Sequence, residues 1–216
     1  MVADVARLGG GFAQSASRPQ ATAEAVLRVA RPGAKDARLI VVGGPPGVGK
    51  SAVVARLVQH LPQAMWIDKD LTASDFILQA AHCQGVGPEG AYGTDQYWQT
   101  LRPCEYAGPV ALACANLLGR RQVFVVGGWG PELGLADLWE NLAARIAPAA
   151  LHVFHLDPPP PPVWRARLAQ RGSRSDMPWF EQMAAALGGL PVWSGAARIE
   201  TDRPLARVVQ DLLERL

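Results

Sequence analysis

Gly44-Pro-Pro-Gly-Val-Gly-Lys-Ser51 decides the fold. The stretch fits the pattern G-x-x-x-x-G-K-[ST], a loop that cradles the phosphates of a nucleoside triphosphate. Glycines let successive backbone N–H groups turn inward and form a nest for an anion. A helix starting near Gly49 points its positive end at the same place. Gly44, Pro45, Pro46, Gly47, Val48, Gly49, Lys50 and Ser51 are therefore assigned to the nucleotide. Lys50 can reach the β- and γ-phosphates, and the Ser51 hydroxyl can hold Mg²⁺.

The flanks match. Residues 37–44 form a short apolar, β-branched run, which reads as a buried strand. Residues 51–61 place apolar side chains at helical spacing, and Pro62 ends that helix. Strand, loop, helix is the setting the motif requires.

Further strands are read at 64–68, 122–126, 151–156 and 197–201. Helices are read at 20–31, 74–81, 97–118, 135–146, 163–170, 179–187 and 204–216. The 97–118 helix is expected to break near Pro103, with another possible break at Gly108-Pro109. A glycine-rich loop spans 85–93. Strands alternating with helices predict an α/β fold: a five-stranded parallel sheet with helices on both faces, in the manner of P-loop NTPases and kinases. Residues 1–19, rich in Gly, Ala and Ser, read as a flexible segment. Residues 20–216 read as one domain, with an arginine-bearing lid over about 163–187.

Composition narrows the function. The chain has 216 residues, 49% of them hydrophobic, and a formal net charge of +2. That length suits one α/β domain, and that charge gives no footing for a nucleic-acid or membrane binder. Cys83, Cys104 and Cys114 lack metal-site spacing and are odd in number, which argues against zinc and against a disulfide framework. No basic-then-apolar leader and no apolar run of membrane-spanning length is read, so a cytoplasmic location is expected.

In a parallel sheet, ligands bind beyond the C-terminal strand ends. Asp68 and Asp70 sit at one such end. A kinase needs a carboxylate there to orient and accept the proton of the attacking hydroxyl, and Asp70 is assigned that role. Asp68 is assigned to the metal or to a supporting role, although an Asp in this place can simply cap the next helix. Many P-loop ATPases carry an Asp after the third strand. Here Gly127-Gly128-Trp129 stands instead, which argues against a motor-type ATPase. Further on, Arg167 and Arg171 share a helix face and Arg174 follows. All three are assigned to the phosphates, where arginine can neutralise charge on the transferring group.

Together these stretches resemble the small P-loop kinases related to polynucleotide 5′-kinase, chloramphenicol phosphotransferase and the zeta toxins. Gly44–Ser51 is the phosphate loop. Ile67-Asp-Lys-Asp70 is similar to the family's strand end, whose last Asp is the general base. Leu168-Ala-Gln-Arg-Gly-Ser-Arg174, followed by Pro178 and the next helix, is similar to the lid, with Arg171 as its arginine. The resemblance runs from about residue 37 to 190. Polynucleotide kinases carry polar residues after the third strand, so Gly127-Gly128-Trp129 counts against nucleic acid as acceptor, as does the modest charge.

Tyr92, Trp98 and Trp129 are read as walls of a pocket for a compact organic acceptor. Of the polar residues nearby, Arg102 is preferred over Asp75 and Glu132 as an acceptor contact. The expected activity is NTP-dependent O-phosphotransfer to a small-molecule hydroxyl. Catalysis is assigned to Asp70, Lys50 and Arg171, with Mg²⁺ on Ser51 and Asp68. ATP and GTP both stand as donors. The resemblance makes antibiotic inactivation the first role. Sugar kinase, polynucleotide kinase and an NTPase or regulatory module without an acceptor are the rivals.

Overall fold

The computed structural model describes residues 18–216. The flexible segment expected over 1–19 lies outside that range except for its last two residues.

Five strands form one sheet: β1 (Arg38–Gly43), β2 (Ala64–Asp68), β3 (Gln122–Val126), β4 (Ala150–Asp157) and β5 (Ala197–Glu200). All pairings are parallel, in the order β2-β3-β1-β4-β5. The helices are α1 (Pro19–Val29), α2 (Lys50–His60), α3 (Lys69–Cys83), α4 (Arg102–Asn116), α5 (Ala136–Ile146), α6 (Pro161–Gln170), α7 (Met177–Gly188) and α8 (Leu205–Leu213).

β1 shows why a continuous apolar run becomes a central strand. Leu39 and Val41 point into a core with α1, α4 and α5. Ile40 and Val42 point the other way, into a core with α2 and α8. All four are fully buried, as a strand covered on both faces requires. A third cluster joins α3 to Tyr92, Tyr97 and Trp98. A fourth joins α6 to α7.

Two local departures from the sequence reading matter for the site. Helix α3 begins at Lys69, directly after β2, not near Ser74. Asp68 caps it by accepting a hydrogen bond from the Asp70 N–H at 3.0 Å. Thr72 Oγ1 donates to the Lys69 carbonyl at 2.9 Å, and Ser74 Oγ donates to the Asp70 carbonyl. These bonds hold a polar first turn in helical form. Helix α4 runs through Pro109 without stopping. The break expected near Pro103 is absent: a π-helical turn at Tyr97–Leu101 leads into α4 with Leu101 and Arg102 both in helical conformation. Pro103 sits in the first turn of α4, where no N–H is needed.

Candidate active site

The phosphate loop leaves β1 at Gly43 and enters α2 at Lys50. Gly44, Gly47 and Gly49 have φ of 135°, 80° and 98°, a region that strains residues with a Cβ. A Cβ on Gly47 would lie 2.9 Å from Leu168 Cδ2. The contact shows that α6 packs against the loop. Trp164 Nε1, also on α6, donates to the Pro46 carbonyl at 2.6 Å. The loop is tied on its other flank as well, because the Gly44 N–H donates to the Gly128 carbonyl at 3.2 Å.

Lys50 Nζ donates to the carbonyls of Gly44 and Pro45, both at 2.8 Å. Burial pushes its pKa down to about 8, against the pull of Asp70 and Asp68. Ser51 Oγ donates to Asp68 Oδ2 at 3.3 Å. Burial, reinforced by the neighbouring Asp70, raises the Asp68 carboxyl above its usual range. Asp68 thus caps α3 through one oxygen and meets Ser51 through the other. Among the described residues no group of three or more His, Cys, Asp or Glu forms a metal site of its own. A hydroxyl beside one carboxylate suits Mg²⁺, which keeps most of its waters and takes few protein ligands.

Asp70 opens into the cleft beside Lys69. Lys69 Nζ lies 2.6 Å from Asp70 Oδ1 and 2.7 Å from Glu105 Oε1. Burial works to raise the Asp70 carboxyl. Lys69, then Lys50 and Arg171, outweigh it and hold the group below the usual carboxylate range. The ion chain continues inward. Tyr97 Oη donates to Glu105 Oε2 at 2.8 Å, and Arg102 Nη1 donates to Tyr97 Oη at 3.3 Å. Arg102 Nε and Nη2 grip Glu132 at 3.0 and 2.6 Å.

These groups share one cleft of about 530 Å³ above the C-terminal strand ends. It brings together Gly44, Pro45, Pro46, Gly47, Gly49, Lys50, Ser51, Asp68, Asp70, Tyr92, Trp98, Arg102, Arg167 and Arg171. Arg171, at the C-terminal cap of α6, contributes to the field on both Lys50 and Asp70. Arg167 lines the cleft and also donates to the Thr201 carbonyl at 2.8 Å, which ties α6 to the end of β5.

Four of the sequence expectations need correction. Val48 turns its side chain into the core below the sheet, leaving only its backbone for the phosphates. Trp129 is not a pocket wall: it is fully buried, in edge contact with Tyr106 and Trp139. Its φ of 56° after two glycines turns the chain back inward, and its N–H donates to Tyr106 Oη at 3.0 Å. Arg174 lies outside the cleft because Asp176, 2.7 Å from its Nε, and the Trp179 ring hold it at the exposed surface. Arg102 lines the cleft, but Glu132, fully buried, takes its bidentate face. Asp75 is exposed on α3 and away from the cleft.

The sequence reading missed Lys69, Glu105, Tyr97 and His155. Glu105 and Glu132 were the available signal: each is an isolated acid in an apolar stretch, and a buried carboxylate demands a partner. His155 lines the cleft from β4 through its pairing with Gly43, with Nδ1 2.7 Å from Asp157 Oδ1. Gly127 directly follows β3, the end of the strand at which many P-loop ATPases carry an Asp. A Cβ there would come within 3.2 Å of Lys69 Cδ and of Tyr106 Cε1, so the bare glycine makes room for Lys69.

No family model and no curated protein matches the chain by sequence. Solved structures match it by fold. A tunicamycin resistance protein of Deinococcus radiodurans aligns at TM-score 0.53 and 20% identity, over 83% of this chain and 95% of that one. A putative kinase of Chloroflexus aurantiacus gives 0.52 and 17%, over 83% and 96%. A gluconokinase of Sinorhizobium meliloti gives 0.50 and 20%, over 83% and 91%. The chain has the P-loop kinase fold. At these identities the likeness speaks for the fold alone. Among the described residues no helix is long and apolar enough to cross a membrane.

Proposed function

We propose that the protein is an NTP-dependent O-phosphotransferase acting on the hydroxyl of a small molecule. The observation that carries the reading is the placement of Asp70 in the same cleft as Lys50, Ser51 and Arg171. A carboxylate held ionised beside a phosphate cradle is what an alcohol acceptor needs, and a bare hydrolase has less use for it.

In the reaction, the acceptor oxygen bonds to the γ-phosphorus as the bond from that phosphorus to the β,γ-bridging oxygen breaks. The products are a phosphate monoester and the nucleoside diphosphate. Asp70 orients the hydroxyl and takes its proton. Lys69 holds Asp70 in place and keeps it ionised until the proton moves. The loop N–H groups and Lys50 bind the β- and γ-phosphates, and Arg171 meets the charge that spreads over the transferring group. Mg²⁺, when bound, neutralises phosphate charge and fixes the geometry of the phosphate tail. Ser51 and Asp68 would hold it. The α6–α7 segment, with Arg171 between its helices, is the lid that excludes water from this step.

Within this class, inactivation of a hydroxyl-bearing antibiotic is our first choice of role. The motifs that resemble chloramphenicol phosphotransferase support it, and so does the fold shared with a tunicamycin resistance protein. The test is mass spectrometry of a panel of hydroxyl-bearing antibiotics and sugars incubated with the protein, Mg²⁺ and ATP or GTP. Gain of one phosphoryl group, about 80 Da, on an antibiotic supports the role. Gain on a sugar alone would keep the chemistry and reject the antibiotic. Nucleotide hydrolysis with no gain on any compound would favour the NTPase reading.

A further inference from the structure

Among the described residues, the cleft beside Asp70 on the acceptor side is lined by two cations, Lys69 and Arg102, and both are already matched. Arg102 is gripped by Glu132 through two hydrogen bonds. Lys69 lies between Asp70 and Glu105, at 2.6 and 2.7 Å. Tyr97 closes the chain by donating to Glu105 while accepting from Arg102. Two cations thus face three carboxylates, and all but Asp70 are buried. An acceptor bearing a carboxylate or phosphate of its own would find no uncommitted positive charge here. It would also have to lose its water beside the carboxylates of this ion chain, which is costly in a site of low dielectric.

The other lining of the same half is apolar. Leu133, Met183, Leu187, Leu190, Pro191 and Val192 come from the turn after β3, from α7 and from the segment after it. The segment after α7 is tied to the turn after β3: the Trp193 N–H donates to the Leu133 carbonyl at 2.8 Å, and a Cβ on Gly134 would come within 2.5 Å of Pro191 Cγ. An apolar wall with no carboxylate or hydroxyl of its own offers nothing to a sugar rim or an ammonium group and favours burial of hydrocarbon or ring surface.

We propose that the acceptor is an uncharged alcohol carrying an apolar body, and that the closed ion chain from Asp70 to Glu132 rejects acidic acceptors. The inference rests on the phosphotransferase reading for its site, but its test needs no turnover. The probes are pyrenebutanol and pyrenebutyrate, alike except for the terminal group, titrated against the protein by loss of tryptophan emission. The alcohol is expected to bind at least about tenfold more tightly than the acid. Leu190→Lys, at the half-buried rim of the wall, adds a cation and is expected to shift that preference about tenfold toward the acid. Glu132→Gln, which uncovers Arg102, should shift it the same way. Leu190→Lys serves as the control should the buried change disturb folding. Equal or tighter binding of pyrenebutyrate to the unaltered protein would overturn the inference, as would an unchanged preference in Leu190→Lys. Pyrenebutanol is also incubated with ATP or GTP and Mg²⁺. Preference for the alcohol without transfer would support this inference and count against the phosphotransferase.

Discussion

Lys69 Nζ sits 2.6 Å from Asp70 Oδ1 while its other side rests on buried Glu105, 2.7 Å away. The lysine therefore links the proposed base to the interior. Lys69→Met is expected to lower kcat about a hundredfold with little change in the KM for the nucleotide. It should also lower stability by about 3 kcal/mol, because Glu105 is left buried and unpaired. Adding Glu105→Gln should restore much of the stability and none of the turnover. Urea unfolding and steady-state kinetics of the two variants read this out, and turnover that returned with stability would make Lys69 a purely structural residue.

Asp70→Asn keeps the shape of the base and removes its charge. The expected result is a loss in kcat of at least about a hundredfold, with nucleotide binding retained in calorimetry. Near-normal phosphotransfer by this variant would remove Asp70 from the role of base.

Asp68 caps α3 and meets Ser51 through different oxygens. Asn can still accept the capping bond but brings no charge to the metal. Asp68→Asn should therefore leave the unfolding midpoint nearly unchanged and raise the Mg²⁺ concentration for half-maximal activity about tenfold. An unaltered Mg²⁺ requirement would show that the carboxylate is only a cap.

His155 gives a pH signature. Burial lowers its pKa below the ordinary value, although Asp157 pulls the other way; Arg198 and Lys50 add to the lowering. Well above the ordinary imidazole pKa of about 6.5 the group is neutral whether folded or unfolded and contributes no slope. Below that the unfolded chain takes up the proton first, so stability falls as pH drops toward the lowered folded value. The unaltered protein should lose stability relative to His155→Gln between pH 7 and pH 5, measured by urea midpoints. A relative gain on acidification would mean that Asp157 dominates.

How far the sequence carried these conclusions depended on distance along the chain. The central strand was legible because a strand buried on both faces must be a continuous apolar run, as in β1, whereas edge strand β5, which buries only Ile199, was read from its place between turn residues and the last helix. The phosphate loop was legible because its conformation admits only a narrow set of residues. The start of α3 was not, since a capping Asp in β2-Asp-Lys-Asp looks the same as a loop until its N–H partner is known. Lys69 was hidden because Glu105 lies 36 residues away, and Arg102 was misjudged because Glu132 lies 30 residues away. Trp129 was misplaced by a single positive φ after two glycines. Arg174 offered a local clue that went unread, an acid two residues on.

The most direct test of the central claim is phosphorus NMR of the protein with Mg²⁺, ATP or GTP, and the hydroxyl compounds of the panel, followed over time. The account expects the γ-phosphorus signal to decline as a phosphate-ester signal and the nucleoside diphosphate grow together, with little inorganic phosphate. Growth of inorganic phosphate at the same rate with and without every alcohol, and no ester signal, would contradict it.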